Sequence, residues 1–378
     1  MSDVPAHIAL FLPSLEGGGA ERMMVQLAIG FAGFGHKVDI VLVKAQGVYL
    51  SQVPASVRVV DLHARNTYTS CLKLFSYLRR ERPTVILSTL PLTDLVILLV
   101  RRLAPVPSRI VLRCPTTVSL LPRSAAKKAL ERLLLAWIYP WADAVIAVSH
   151  GVAQDLSSYA SIPLHQIHTI YNPVITPHIL EMAKEPVNHP WFGQAAASNA
   201  AIPVILGLGR LSQEKDFTTL IRAFAIVRQE MPCRLVILGE GKDRQQLEEL
   251  AHNLDERGET AANVSMPGFV ENPFAYMSKA DVFVLSSTFE GLPGSLIQAM
   301  TCGCPVVSTD CPHGPAEILK AGEYGYLVPI GDAQAMADAI KRVLSGDVRK
   351  PPLEWLLRFE AEPVLRQYLS VMGVQNAG

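Results

Sequence analysis

Residues 290–298 read Glu-Gly-Leu-Pro-Gly-Ser-Leu-Ile-Gln, and residues 299–307 continue Ala-Met-Thr-Cys-Gly-Cys-Pro-Val-Val. The run Asp281-Val-Phe-Val-Leu-Ser286 leads in with the apolar, β-branched character of a buried strand. Residues 295–302 lead out as a helix. Glu290 and several backbone N–H groups therefore stand where a strand hands over to a helix. Open parallel sheets take ligands at that edge, and the start of a helix attracts phosphate.

The same alternation extends in both directions. Strands are expected at 204–208, 235–238, 263–266, 281–285, 305–308 and 325–328, with helices at 218–229 and 244–254. Earlier in the chain, strands are expected at 8–12, 38–43, 57–62, 85–88, 110–113 and 144–148, with helices at 19–33 and 69–82. Continuous Val/Ile/Leu runs separated by helices predict parallel sheets covered on both faces. The pattern stops at Pro186, Pro190 and Pro203, around the stretch Ala-Ala-Ala-Ser-Asn-Ala-Ala at 195–201. That reads as a linker. A chain of 378 residues exceeds one ordinary core. The expected division is a first α/β domain over 1–185, a linker over 186–203 and a second over 204–351. The tail from 352 looks helical and amphipathic.

Apolar residues make up 49% and charged residues 18%, which is a globular composition, and a formal net charge of zero argues against a general nucleic-acid binder. The charge is uneven. Residues 1–170 hold 17 Lys and Arg against 10 Asp and Glu, a net +7, so residues 171–378 carry −7. A basic half suits an anionic membrane surface or a phosphorylated acceptor. The six cysteines include no Cys-x2-Cys pair, and Cys302, Cys304 and Cys311 lack a fourth ligand in a zinc pattern. Small thiols in a reducing compartment are expected. Residues 7–13 read as a strand rather than a signal peptide, and the longest apolar run, 95–100, is too short for a bilayer. The expectation is a cytoplasmic protein.

Two glycine-rich loops carry further chemistry. Gly207-Leu-Gly-Arg-Leu-Ser-Gln-Glu-Lys-Asp216 follows one strand and precedes a helix. Its glycines allow a sharp turn, and Arg210 and Lys215 could hold two adjacent phosphates. It touches the dinucleotide fingerprint only weakly, because the third position is Ser212 and no acidic residue follows at the next strand end. Gly17-Gly-Gly-Ala-Glu21 follows the first strand, in a position where many α/β domains are glycine-rich.

Taken together, Gly-x-Gly-Arg-Leu-x-x-Glu-Lys, Gly239-Glu-Gly241, Gly268-Phe-Val270, Glu290 to Gln298 and Pro305-Val-Val-Ser308 resemble the retaining nucleotide-sugar glycosyltransferases of family 4. The resemblance covers nearly the whole second half. It implies the GT-B fold, two Rossmann-like doubly wound domains facing a central cleft, with a C-terminal helix that often packs back on the first domain. It implies that Arg210 and Lys215 bind the donor diphosphate and that Glu290 contacts the donor sugar. Gly17, Gly18, Gly19, Gly209, Gly241, Phe269, Val270, Leu292, Gly294 and Ser295 would line the donor. Gln298 stands where the family has a second Glu that accepts from the ribose hydroxyls. Gln keeps one acceptor and adds two donors, which reduces charge-assisted binding.

The first half departs further from the family. Arg113-Cys-Pro-Thr-Thr-Val-Ser119 occupies the place where members often carry a His or an acidic-polar pair. The acceptor-side candidates are Arg113, Thr116 and His150. The family's front-face mechanism needs no protein nucleophile, since the leaving diphosphate takes the acceptor proton. No metal and no cofactor are expected; a UDP-sugar is the expected substrate. The partners would be a nucleotide sugar, a glycan or lipid-linked acceptor, and an anionic membrane met by residues 127–141, which mix Lys and Arg with Leu and Trp. Competing readings are a nucleotide-sugar-binding partner without catalysis, suggested by Gln298, and a GT-B epimerase, which would need acid/base residues in the cleft.

Overall fold

The computed structural model describes residues 5–16, 18–103, 106–121, 123–192, 202–254 and 258–375. They form two compact units. The first comprises Met1–Pro173 and Phe359–Gly378, the second Val174–Arg358.

The first unit has seven strands: β1 (His7–Leu12), β2 (Lys37–Leu42), β3 (Val57–Asp61), β4 (Val85–Thr89), β5 (Arg109–Cys114), β6 (Ala144–Ala147) and β7 (Ile167–Thr169). The second has six: β8 (Val204–Leu208), β9 (Arg234–Leu238), β10 (Val264–Gly268), β11 (Val282–Leu285), β12 (Val306–Thr309) and β13 (Tyr326–Val328). The sheet orders are β3-β2-β1-β4-β5-β6-β7 and β10-β9-β8-β11-β12-β13. Every pairing is parallel. Both sheets thus reverse direction once, between β1 and β4 and between β8 and β11. Ligands bind open sheets at such a reversal. Strand β7 has one apolar residue in three and leaves no periodic trace in the sequence.

The chain passes from the first unit to the second between Pro173 and Val174, before the expected linker. Residues before 186 are tied into the second unit by its own side chains. Asn272 donates to the Met182 carbonyl (2.9 Å) and Ser278 to that of Ala183 (2.6 Å), while Lys279 holds Glu185 O (2.6 Å). The proline-rich stretch falls inside that unit, and its residues 193–201 lie outside the described ones. At the other end, Trp355 Nε1 donates to Ile318 O (2.8 Å), so the second unit runs past residue 351.

The helix Ala361–Met372 belongs to the first unit and lies on the helix Gly19–Gly33. Gly30 is bare because Leu365 occupies the space a Cβ would take, and Phe31 meets Tyr368 with ring centroids 6.4 Å apart. Beneath them Leu10, Leu12, Ile40 and Leu87 fill the sheet face. Burying such side chains supplies about 1.5–3 kcal/mol each.

Several first-unit charges serve packing. Asp39 accepts from His7 (2.8 Å), Arg58 Nε (2.8 Å) and Tyr77 (2.6 Å), linking β1, β2, β3 and the helix Cys71–Glu81. Burial alone would raise its pKa, but these bonds hold the carboxyl well below the usual range. Asp94, in the first turn of the helix Pro91–Leu103, is the opposite case. Burial pushes it up to about 7 despite a 2.9 Å bond from Tyr139. Its folded pKa therefore lies above the ordinary 3.8. The associated stability is complete below about pH 3.8 and is lost as pH rises through about 7. Asp94→Asn should raise the melting temperature by a few degrees at pH 8. That advantage should shrink by pH 5. Equal shifts at both pH values in calorimetry would contradict a buried, titrating Asp94.

Candidate functional site

The loops leaving the second sheet at its C-terminal edge are bonded to one another in a row. The Gly239 N–H donates to Gly268 O (2.8 Å), Gly209 N–H to Leu238 O (3.0 Å) and Leu211 N–H to Glu240 O (2.9 Å). Gly239 has φ 131°, and a Cβ on it would fall on the Gly209 carbonyl. A Cβ on Gly241 would fall on the Leu211 carbonyl. These glycines are explained by one loop lying against the next. That is a packing role for Gly241, which was expected to line the donor.

At the reversal, the loop after β8 meets the loop after β11. The Thr288 N–H donates to Glu214 O (2.9 Å) and Ser286 Oγ to Lys215 O (2.7 Å). Lys215 Nζ then reaches Glu290 Oε1 at 2.5 Å, and Ser287 Oγ donates to the same oxygen at 2.7 Å. The Lys215 stem runs beside Gly209, where a Cβ would stand in ordinary contact, 3.4 Å from Cγ and Cδ. Asp216 ends the loop in the left-handed region (φ 43°), and its carboxylate caps the next helix by accepting from Thr219 N–H at 3.2 Å. The row continues to the loop after β12. The Glu290 N–H donates to Pro312 O (2.8 Å), and the His313 N–H donates back to Glu290 O (3.0 Å). Burial, reinforced by the nearby Glu290 carboxylate, pushes the Cys311 thiol up to about 12, so it stays protonated there.

The expected residues sort accordingly. Arg210 is exposed, whereas Lys215 and Glu290 are partly buried. Gly294 and Ser295 open the helix Gly294–Thr301, which has no side-chain cap. Leu292 is buried two residues before it, and Gln298 lies on it, 9% exposed. Phe269 is 71% exposed, with Val270 half-buried, just past β10. Ser286, Ser287 and Thr288 were not anticipated. The polar run Ser-Ser-Thr directly after an apolar strand is the signal that points to them.

In the first unit, Gly17 lies outside the described residues. Gly18 is bare under the Glu21 carboxylate, and Gly19 is open. His150 is exposed at the start of the helix His150–Ala160, edge-on to Tyr171 at 6.3 Å. Thr116 is half-buried, its carbonyl accepting from Cys114. Arg113 needs a correction as an acceptor contact. It is 1% exposed and donates to Tyr368 Oη (3.1 Å) and Asn172 Oδ1 (2.7 Å). Its guanidinium ties the C-terminal end of β5 to the last helix.

Two family descriptions match the chain: Glycosyltransferase Family 4 over residues 17–177 and Glycosyl transferases group 1 over residues 202–346. An N-acetylgalactosamine-N,N'-diacetylbacillosaminyl-diphospho-undecaprenol 4-alpha-N-acetylgalactosaminyltransferase of Campylobacter jejuni is 31% identical over 238 residues, 62% of this chain and 60% of that protein. The lipopolysaccharide core biosynthesis glycosyltransferase LpsE of Rhizobium meliloti is 26% identical over 373 residues, 94% of this chain and 96% of that one. The Anabaena HepE structure in complex with UDP superposes with a TM-score of 0.76 at 20% identity, over 97% of this chain and 99% of that one. At that identity the likeness speaks for the fold, which is GT-B.

Gly239→Ala tests the loop row. The left-handed backbone and the Gly209 carbonyl both oppose a side chain there. Roughly 1–2 kcal/mol of backbone strain, plus the clash, should lower the second unit's melting temperature by several degrees. An unchanged calorimetric transition would mean that the loops do not depend on each other.

Proposed function

We propose that this GT-B chain is a glycosyltransferase that moves a hexose or N-acetylhexosamine from a UDP-sugar to a glycan or lipid-linked acceptor, with retention at the anomeric carbon. The observation that carries this reading is the Lys215–Glu290 pair at the strand reversal, with Arg210 on the same loop. Two cations there suit a diphosphate, one as a planar fork and one as a point charge. Glu290 would take sugar hydroxyls, and Gln298 would take the ribose. The amides opening the Gly294–Thr301 helix would meet phosphate and sugar oxygens.

As the bond from the anomeric carbon to the diphosphate breaks, negative charge grows on the leaving oxygen. Arg210 and Lys215 would stabilise that charge more than the ground state. The acceptor oxygen bonds to the same face of the sugar and gives its proton to the departing phosphate. Before donor arrives, Lys215 is held by Glu290, so the cation is already oriented where phosphate would come.

A uridine donor is supported by the HepE neighbour, which was solved with UDP. A polysaccharide or lipid-linked acceptor is supported by the names of the Campylobacter and Rhizobium relatives. Membrane docking is supported by the helix Ala125–Ile138, where Leu130, Leu133 and Trp137 are 60%, 69% and 61% exposed beside Lys127 and Arg132. An amphipathic face of that kind binds at a lipid–water boundary. The six unpaired cysteines suit a reducing compartment, hence the inner face.

Incubation with a panel of labelled UDP-sugars and acceptor extracts should give acceptor-dependent UDP release and a product with the donor's anomeric configuration by NMR. Arg210→Ala and Lys215→Ala should each lower turnover by about two orders of magnitude. Inversion in the product, or near-normal turnover in a folded double variant, would refute the mechanism.

A second measurement addresses the membrane. Wild-type protein should sediment with anionic vesicles and less so with neutral ones, and salt should weaken the association. Replacing Lys127 and Arg132 with Ser should reduce it strongly, at about 1 kcal/mol per cation, and leave UDP affinity intact. Lys128 is spared because its Nζ holds Ser119 O at 2.8 Å. Equal sedimentation of the variant would show that these cations do not meet lipid.

A further inference from the structure

A groove of about 300 Å³ runs between the helices Pro91–Leu103 and Ala125–Ile138 of the first unit. Its floor is Leu92, Leu95, Leu134 and Ile138, and its charged groups are Arg123, Lys127 and Glu131. Arg123 and Lys127 precede or open the second helix and Leu134 and Ile138 lie toward its end, with Glu131 between them. Lys127 and Ile138 stand eleven residues apart, about 16 Å along the axis. Arg123 pairs with Glu131, so those two charges offset each other. Lys127 forms no ion pair among the described residues. Pro91 and Leu92 follow directly on β4, at the C-terminal edge where the sheet's ligands are expected.

A cation at one end and a strip of leucines at the other match an amphiphile with an anionic head and one hydrocarbon tail. A free glycan has nothing to lay on the leucines, and inorganic phosphate has no reason to prefer this lysine. We propose that the groove binds the hydrocarbon chain of an isoprenoid or acyl phosphate lipid, with the phosphate at Lys127 and the chain along Leu92, Leu95, Leu130 and Leu134. This rests on the reading of the acceptor as lipid-linked. It adds that the tail is recognised by the protein itself, in addition to any general attraction to the bilayer. Removing leucine surface from water favours the chain's entry, and the lysine selects the phosphorylated form.

The probe is farnesyl phosphate below its micelle-forming concentration, titrated into the whole protein by calorimetry without vesicles. Farnesol and inorganic phosphate are the controls. Farnesyl phosphate should bind saturably at one site, farnesol about tenfold more weakly, and phosphate alone undetectably. Leu134→Trp fills the groove and should abolish binding. Leu130→Glu, at an exposed position that tolerates a polar side chain, should weaken it at least as much as Lys127→Glu. All three variants should keep wild-type UDP affinity, which also reports that they fold. Absence of farnesyl phosphate binding by the wild type, equal binding of farnesol, or undiminished binding by the folded variants would each overturn the proposal. Transfer assays separate it from the broader reading. If only free glycans accept sugar while farnesyl phosphate still saturates the groove, the acceptor reading fails and the groove stands. If lipid-linked acceptors react at wild-type rates with variants that no longer bind farnesyl phosphate, the groove has no part in acceptor recognition.

Discussion

The reversal of strand order between β8 and β11 is the constraint on which the second unit's site depends. Crossover connections between parallel strands are right-handed, so the helices after these two strands go to opposite faces of the sheet. Their loops must part, and the edge opens between them. The polypeptide closes that opening only partly. Backbone and hydroxyl bonds draw the two loops together at Glu214, Lys215, Ser286 and Thr288, and the charged ends of Lys215 and Glu290 meet beyond them. The position of each neighbouring loop follows from this one through the row that passes by Gly209 and Gly239 on one side and Pro312 and His313 on the other. A change anywhere in the row therefore reaches the charged pair through backbone, with little slack to absorb it.

What the sequence made legible follows from the range of the forces involved. Strand runs and helix periods are local, and among the described residues only one strand, β7, lies outside an anticipated segment. The glycine loops were legible because close backbone approach demands glycine at fixed offsets, and the place of Glu290 between a strand and a helix followed from the local patterns on either side. Arg113 was misread because its partners, Asn172 and Tyr368, lie 59 and 255 residues away. A cation at a strand end looks the same in sequence whether it faces a ligand or a tyrosine. Gly241 shows the related ambiguity: a glycine that makes room for backbone cannot be told from one that makes room for substrate. The unit boundary was placed by composition, yet it is decided by which side chains hold the connecting carbonyls, as Asn272, Ser278 and Lys279 do.

The two units use charge differently. In the first, Asp39, Asp94 and Arg113 are almost fully buried and hold elements together. In the second, Arg210, Lys215 and Glu290 gather at one edge with water still in reach. Desolvating a charge costs several kcal/mol; hydrogen bonds offset that cost at Asp39, while Asp94 Oδ1 and Arg113 Nη1 are buried without a partner. The second keeps its charges available for an incoming anion. Part of the basic surplus of the first half lies on the exposed face of the helix Ala125–Ile138, in which Leu135 and Ile138 are buried.

The first unit is discontinuous: residues 1–173 are made early and residues 359–378 late, with the whole second unit in between. On the ribosome, the helix Gly19–Gly33 therefore emerges long before Leu365 and Tyr368 exist to cover it. Arg113 waits equally long for the Tyr368 hydroxyl. The unit nearer the start of the chain completes its core last, while the uninterrupted segment 174–358 can finish first. Emergence of residues 359–378, rather than of the first 173, is the event that makes the early half whole. A message truncated after codon 358 would yield a chain whose second unit is intact and whose first unit lacks its final helix.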